Sequence, residues 1–495
     1  MPRLRFLLAL LALTSATAGA QLHVAVRVSP VADLAHQLDC VTGVVGQCAT
    51  DDYRALWRQR FLRDAADSAA ARAWGALRAR YQNASTQVDT GGADGVGRQY
   101  RWITLGDRWR LAGLQARSWD DYGERLALVL LPQDRARAAA ALAHFRPRFD
   151  AWWEAEARGP LTRGRDTLAV LLATPELRAL LDGARHFYGA TGPGSDTVSL
   201  TLVARAGLAG RGTSAEVVEG WAVQELLPDA SPAREVGVTL HEVAHLLLAL
   251  APDDAKAAVA AELARHGLEG RAARSLLDEG LATAFGNGLV ERAVRPAARW
   301  AAYAAQPRSF YNDDAIDVAG KALMPVLDSL LRAGATLRDP AALAAVRVAL
   351  RDAMGDGLTR PYALLHDVWG FVDERVAEPF AVTRRLQGAL RAGNFSLSVD
   401  SAGAMPTAPL ARDPWVGAVV IAPASSLPPL AARGAFRPAE VAAIRRAAAA
   451  GPVLYGARRA NGARTWVVVA SSATEAMPLI DRLVALPRDL DGPVP

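Results

Sequence analysis

His241-Glu242-Val243-Ala244-His245 sits inside an apolar run, with Val236-Gly237-Val238-Thr239-Leu240 before it and Leu246-Leu247-Leu248 after it. Glu242 is the one acidic or basic residue in that window, histidines aside. In a helix, residues four apart share a face. Two imidazoles and a carboxylate are costly to bury unless they are paired or hold a cation. The pentad therefore constrains the fold: this segment is expected to be a buried helix whose polar face meets compensating groups from elsewhere. Histidines at this spacing can grip one zinc ion, and the glutamate beside the first can reach a water held there.

Zinc needs a third protein ligand, and in catalytic sites it keeps one position open. The H-E-x-x-H-x-x-G-x-x-H solution is excluded, because Leu248 and Ala251 stand at its Gly and His positions. The other common solution takes a glutamate from a later helix. Glu279 fits, in Leu276-Leu277-Asp278-Glu279-Gly280-Leu281-Ala282-Thr283-Ala284-Phe285-Gly286. Asp278 is the alternative ligand. A plainer reading of Glu279 is a helix-start carboxylate favoured by the dipole. Small residues at Gly280, Ala282 and Ala284 would let this helix approach the pentad helix closely. Thr283, one turn after Glu279, is placed to hydrogen-bond a ligand histidine.

The pentad and the Asp278-Glu279-Gly280-x-Ala282 run together resemble the gluzincin metallopeptidases, and secreted bacterial proteins of that type in particular. The resemblance covers about 60–80 residues, and its two motifs are specific only together. It implies zinc (Zn2+) on His241, His245 and Glu279 in a mainly helical, zincin-like domain. The implied reaction is peptide hydrolysis by zinc-activated water, with Glu242 as general base. A second oxyanion donor usually completes such a site; the candidates are Tyr303, Tyr311 and His366. Tyr311 ranks first, because Ser309-Phe310-Tyr311-Asn312-Asp313-Asp314 reads as a loop, whereas Tyr303 and His366 read as helical. The run 315–327 is similar to the helix that packs behind gluzincin sites. The Gly-x-Met-Glu-Asn signature of zinc aminopeptidases is absent, so an endopeptidase is the expectation.

Two other functions fit the same residues. One is a zincin-fold binding or chaperone-like protein with a non-catalytic metal; the other is hydrolysis of a non-peptide amide or ester. The presence of Glu242 argues for a live site.

Zincins commonly hold substrate as an added strand on a sheet edge. Two strand-like runs precede the pentad, Asp196–Ala204 and Glu216–Val223, with Gly210–Thr213 read as the turn of a hairpin and the second run as its edge.

Met1–Ala20, with Arg3, Arg5, a short apolar run and Ala18-Gly19-Ala20, reads as a signal peptide cleaved before Gln21. The product is expected to be secreted or periplasmic, with no membrane span after signal removal. Its two cysteines, Cys40 and Cys48, are expected to pair in an oxidising compartment. No nearby His–Cys spacing was found to favour metal ligation instead. Arginine supplies nearly all the positive charge, lysine occurring only at Lys256 and Lys321. No dense arginine cluster interleaves with aromatics, so nucleic acid is not an expected partner; a peptide or protein substrate is.

The fold class expected is α+β. Residues 21–120 form an N-terminal α/β region opening with a strand at 22–29 and a helix from Pro30 to about Leu38. A helical stretch over 51–82 buries Trp57, Phe61, Trp74 and Tyr81, and Gly91–Gly95 is a break. Residues 121–400 form the catalytic domain, with helices at 134–145, 147–158 and 174–188 and a strand or helix end at 124–131. A helix capped by Asp253-Asp254 contains an exposed His266, and 314–395 is mostly helical. A Pro/Ala-rich linker, 401–414, leads to a small β-α-β-β-α domain over 415–495 that turns at Asn461-Gly462.

Overall fold

A computed structural model describes residues 21–44, 48, 50–82, 85–89, 100–190, 196–205, 214–229, 231–390, 394–407, 410 and 415–494. The signal segment, the Gly91–Gly95 break and the Gly210–Thr213 turn lie outside them. The architecture is mainly helical α+β, with small mixed sheets.

The strands are β1 (His23–Val28), β2 (Ser85–Asp89), β3 (Tyr100–Thr104), β4 (Thr197–Ala204), β5 (Ala215–Val218), β6 (Trp221–Leu226), β7 (Asp367–Asp373), β8 (Asn394–Asp400), β9 (Gly417–Ala422), β10 (Val453–Arg458), β11 (Arg464–Val469) and β12 (Gly492–Pro493). β2 and β3 pair with each other. The sheet beside the pentad has the order β1-β4-β6-β5.

The expected hairpin of 196–204 with 216–223 does not form. β4 and β6 run parallel, and the second run is itself two strands. Glu219 and Gly220 both take positive φ, 49° and 82°, the signature of a tight type I′ reversal. β5 therefore folds back antiparallel on β6 and becomes the sheet edge.

The first helix, Pro30–Thr42, starts at Ser29, whose Oγ accepts from the amide of Ala32, and ends at Gly43 in the left-handed region. It is buried on nearly every side, including four polar residues. Burial of such groups requires partners. Asp39 takes a two-toothed contact from Arg78 at 2.8 Å and 2.8 Å. Asp33 accepts from Trp153 Nε1 and the amide of Ala204, and Gln37 accepts from Trp57 Nε1. Cys40 and Cys48 form the expected disulfide.

Trp57, Phe61, Trp74 and Tyr81 are all core, but 51–82 is two helices, Thr50–Arg60 and Ala65–Gln82. The 124–131 run is no buried strand: the helix Trp119–Leu126 ends there, and Leu128 is 88% exposed. The two helices expected over 134–158 are one, Pro132–Trp152, continued by a π-helical turn into Arg158–Leu172. The Asp253–Ala264 helix ends before His266, which is exposed as expected.

The C-terminal sheet has the order β12-β10-β11-β9-β7-β8. Its central strands are continuous apolar runs because both faces are covered. One face packs on helices Pro379–Leu390 and Ala473–Ala485, the other on Leu427–Ala432 and Val441–Ala447. Strands β7 and β8 belong to it, so this sheet begins at Asp367 and includes chain on both sides of 401–414. A boundary between a catalytic domain ending at 400 and an accessory domain starting at 415 cuts through it. Residues 314–395 are mostly helical, as expected, and β7 and the start of β8 are the strands that interrupt them.

Candidate metal centre

The pentad lies on the helix Pro232–Leu250. Thr239 Oγ1 donates to Gln224 Oε1 of β6 at 2.8 Å, which fixes the helix against the sheet. Glu279 lies on the helix Gly267–Thr283, which runs without interruption into a π-helical segment, Ala284–Val290.

These elements bring three side chains to one point. His241 Nε2 and His245 Nε2 are 3.1 Å apart. Glu279 Oε2 lies 3.5 Å from His241 Nε2, and Glu279 Oε1 lies 3.6 Å from His245 Nε2. One donor atom from each of the three falls within 4.8 Å of the others.

The outer nitrogens are both engaged. His245 Nδ1 meets Asp278 Oδ1 at 2.7 Å, and His241 Nδ1 meets Asn287 Oδ1 at 3.1 Å. An imidazole that donates from Nδ1 keeps its Nε2 lone pair for a cation. Asp278, the alternative ligand, thus stands behind His245 instead of facing the centre. Neighbours in a helix point about 100° apart, so Asp278 and Glu279 reach different sides of one imidazole. Asn287 carries no sequence signal of its own: a π-helical turn, a feature frequent at functional sites, brings it to His241. Thr283 does not contact either histidine: its Oγ1 is buried without a hydrogen-bond partner among the described residues, and its methyl packs where a Cβ on Gly320 would lie.

The close approach to the pentad helix comes from glycines that were not singled out. A Cβ on Gly286 would lie 2.3 Å from Gly237 O and 2.4 Å from His241 N. Backbone meets backbone at the level of the first histidine. Gly280, expected at that contact, instead faces Leu323 and Ala319 of the helix Asp314–Arg332. That helix does pack behind the Glu279 helix.

The electrostatics of the cluster call for positive charge. Burial disfavours an imidazolium at His245, but Asp278 and Glu279 outweigh it and push its pKa up to about 10. Burial disfavours the carboxylate of Glu279, but His245 and His241 outweigh it and bring its pKa down to about 2. Glu279 Oε2 is buried and has no hydrogen-bond partner among the described residues. A carboxylate with Oε2 toward His241 Nε2 and Oε1 toward His245 Nε2, neither as close as a hydrogen bond, fits a divalent cation, which would replace the proton that His245 otherwise carries. Glu242 is buried beside them, and its pKa is raised, chiefly by desolvation, with His241 and His245 opposing and Glu279 and Glu216 adding to the rise.

Of the three candidate oxyanion donors, Tyr311 is at the centre. Its ring stacks on His241 with centroids 5.8 Å apart. Its phenol pKa is pushed up, first by the charge of Glu279 and then by burial. The loop is pinned by Asp317, whose Oδ1 accepts from the amides of Phe310 and Tyr311. Tyr303 belongs to an aromatic cluster with Trp300 and Phe310, under the guanidinium of Arg295. His366 is not helical; it is buried between the helix Pro361–Leu364 and β7, with Nε2 3.8 Å from Asp313 Oδ1. Its charge favours the Glu279 carboxylate.

Among the described residues no helix is long and apolar enough to cross a membrane. No protein-family model, no curated protein and no solved structure matches this chain, which leaves the geometry of the centre as the ground for assigning a function.

Proposed function

We propose that this chain is an exported, zinc-dependent peptidase of gluzincin type, with a zincin-like domain around His241, His245 and Glu279. One observation carries the reading: two Nε2 atoms and an orphaned carboxylate oxygen converge beside a buried glutamate whose pKa is raised. Zinc bound there would supply Lewis acidity and a water acidified to about pKa 7.

The protein's own groups then have distinct tasks. Glu242 takes the proton of the attacking water and returns it to the leaving amine; a carboxylate with a raised pKa is suited to that exchange. Tyr311 donates its hydroxyl to the oxygen that becomes negative. Asp278 and Asn287 hold the two imidazoles in the ligating tautomer. β5 offers one edge without a strand partner among the described residues, and its Glu216 is close enough to raise the pKa of Glu242. An extended peptide added to that edge would pass the centre.

A second reading is a binding protein with a structural cation. It is favoured by burial, since His241 and Glu242 are each only 6% exposed. The two part on one comparison: zinc-loaded wild type and Glu242→Gln are given a peptide library. Cleavage by wild type, reduced by about two to four orders of magnitude in the variant, is the expected result. Equal cleavage by both sinks the mechanism. Cleavage by neither, with zinc bound in both, favours the binding protein. Zinc content should fall by one equivalent in His241→Ala, His245→Ala and Glu279→Ala.

A further inference from the structure

A second group of ligating side chains lies well away from the pentad in sequence. His36 and Cys40 are four apart on the helix Pro30–Thr42 and share its face. This i, i+4 His–Cys spacing corrects the expectation that none stands near the cysteines. Cys40 Sγ is 3.4 Å from His36 Nε2, and His36 Nε2 is 3.0 Å from Glu225 Oε1 on β6. Cys48 completes the set: one donor atom from each of His36, Cys40, Cys48 and Glu225 falls within 4.8 Å of the others. His36, Cys40 and Glu225 are buried. The second carboxylate oxygen, Glu225 Oε2, is buried without a hydrogen-bond partner among the described residues; the Arg205 guanidinium stands 3.9 Å from it.

We propose that the reduced chain holds a divalent, thiophilic cation such as zinc on His36, Cys40, Cys48 and Glu225. The disulfide and the bound cation are then alternative states of one cluster. Two sulfurs, one imidazole nitrogen and one carboxylate oxygen make a four-donor set of the kind zinc takes in closed structural sites. A tetrahedral ion with sulfur at about 2.3 Å needs its two sulfurs about 3.8 Å apart. The Cα atoms of Cys40 and Cys48, 5.6 Å apart, accommodate that by side-chain rotation. Two thiolates, one carboxylate and a divalent cation leave one net negative charge, beside the Arg205 guanidinium that Glu225 shares with Asp52.

The conversion balances. A dithiol or phosphine reductant supplies two electrons to break the Sγ–Sγ bond, and two protons complete the two thiols. Binding of the cation releases those two protons as both thiols become thiolates. An added oxidant such as a small-molecule disulfide takes two electrons from the two thiolates, is itself reduced to two thiols with two protons from solvent, and the Sγ–Sγ bond re-forms as the cation leaves.

The test uses the full chain, stripped of metal, reduced with a phosphine without oxygen, and titrated with cobalt(II). A near-ultraviolet thiolate-to-cobalt charge-transfer band reports sulfur ligation and is silent for the pentad centre. The band is expected to saturate by two equivalents in reduced wild type, by one in reduced protein lacking the pentad histidines, and to be absent in oxidised protein. It should be at least halved in Cys48→Ser, lost in the Cys40→Ser/Cys48→Ser double variant and retained in the His241→Ala/His245→Ala double variant, which separates this site from the first. His36→Ala and Glu225→Ala should each weaken cobalt by about tenfold or more. Reduced protein that keeps its far-ultraviolet circular dichroism and shows no band overturns the proposal. So does reduced protein that unfolds and is not restored by two equivalents of cobalt. A band unchanged in both His36→Ala and Glu225→Ala overturns the four-donor set.

Discussion

Asp278 Oδ1 holds His245 Nδ1 at 2.7 Å, while its neighbour Glu279 faces Nε2 of the same ring at 3.6 Å. One imidazole is thus gripped on both sides by consecutive residues of one helix. The outer contact sets the tautomer and the ring plane, and the inner one is placed to share a cation with the ring. Asp278→Asn should keep the fold and one equivalent of zinc while lowering affinity about 10-fold to 100-fold. Competition with a chromophoric chelator measures this, and an affinity equal to wild type would remove Asp278 from the site.

Gly286→Ala should act through the backbone. The new Cβ would meet Gly237 O and the main chain of His241 at under 3 Å, and neither is the free end of a flexible side chain. The helices must part, at a cost of about 1–3 kcal/mol or more. Urea denaturation should show that loss, together with weaker zinc binding. Gly123→Ala is the control, since a Cβ there meets nothing within 4 Å. A Gly286→Ala protein as stable as wild type would mean that the two helices part there without cost.

Metal-free protein should depend on pH through the same cluster. His245 is raised from 6.5 to about 10 in the folded chain. Its stabilisation is therefore complete below about pH 6.5 and lost as pH rises through 10. Glu279 is lowered from 4.5 to about 2, so its contribution is present above about pH 4.5 and lost as pH falls through 2. Chelator-treated wild type should thus exceed His245→Ala in stability most between about pH 4.5 and 6.5, the gap closing toward pH 10. Urea titrations at about pH 6 and pH 9.5 check the trend; a gap that widens with pH contradicts it.

Tyr311→Phe tests the donor apart from the metal. The ring that stacks on His241 is kept and the hydroxyl is lost. Zinc content should match wild type, while turnover of a cleaved peptide falls about 100-fold to 1,000-fold with little change in KM. Unchanged turnover would return the role to another group.

Part of this centre is legible in the chain because its determinants are local. His241, Glu242 and His245 need only a helix to share a face, and the apolar flanks supply one. Glu279 is legible because its spacing and small neighbours fit a second helix. Asn287 is not, since only the π-helical turn after Thr283 carries it round to His241. The reversal at Glu219-Gly220 was hidden for a similar reason: Glu216–Val223 reads as one apolar-patterned strand, and a glutamate rarely takes positive φ. Strand β7, Asp-Val-Trp-Gly-Phe-Val-Asp, is short and apolar, and periodicity alone does not separate such a run from buried helix.

By itself the sequence determined the mainly helical α+β class, the Cys40–Cys48 pairing and the identity of the converging pentad residues and Glu279. Those follow from composition, helical periodicity and residue chemistry, which act over a few turns. Tertiary structure decided which face of Asp278 and Glu279 meets each imidazole, where the sheet edge lies, that the C-terminal sheet begins at Asp367, and that His36 and Glu225 join the cysteines. Each of these depends on contacts between segments far apart in the chain, where packing of whole helices and strands sets the outcome and local pattern has no reach.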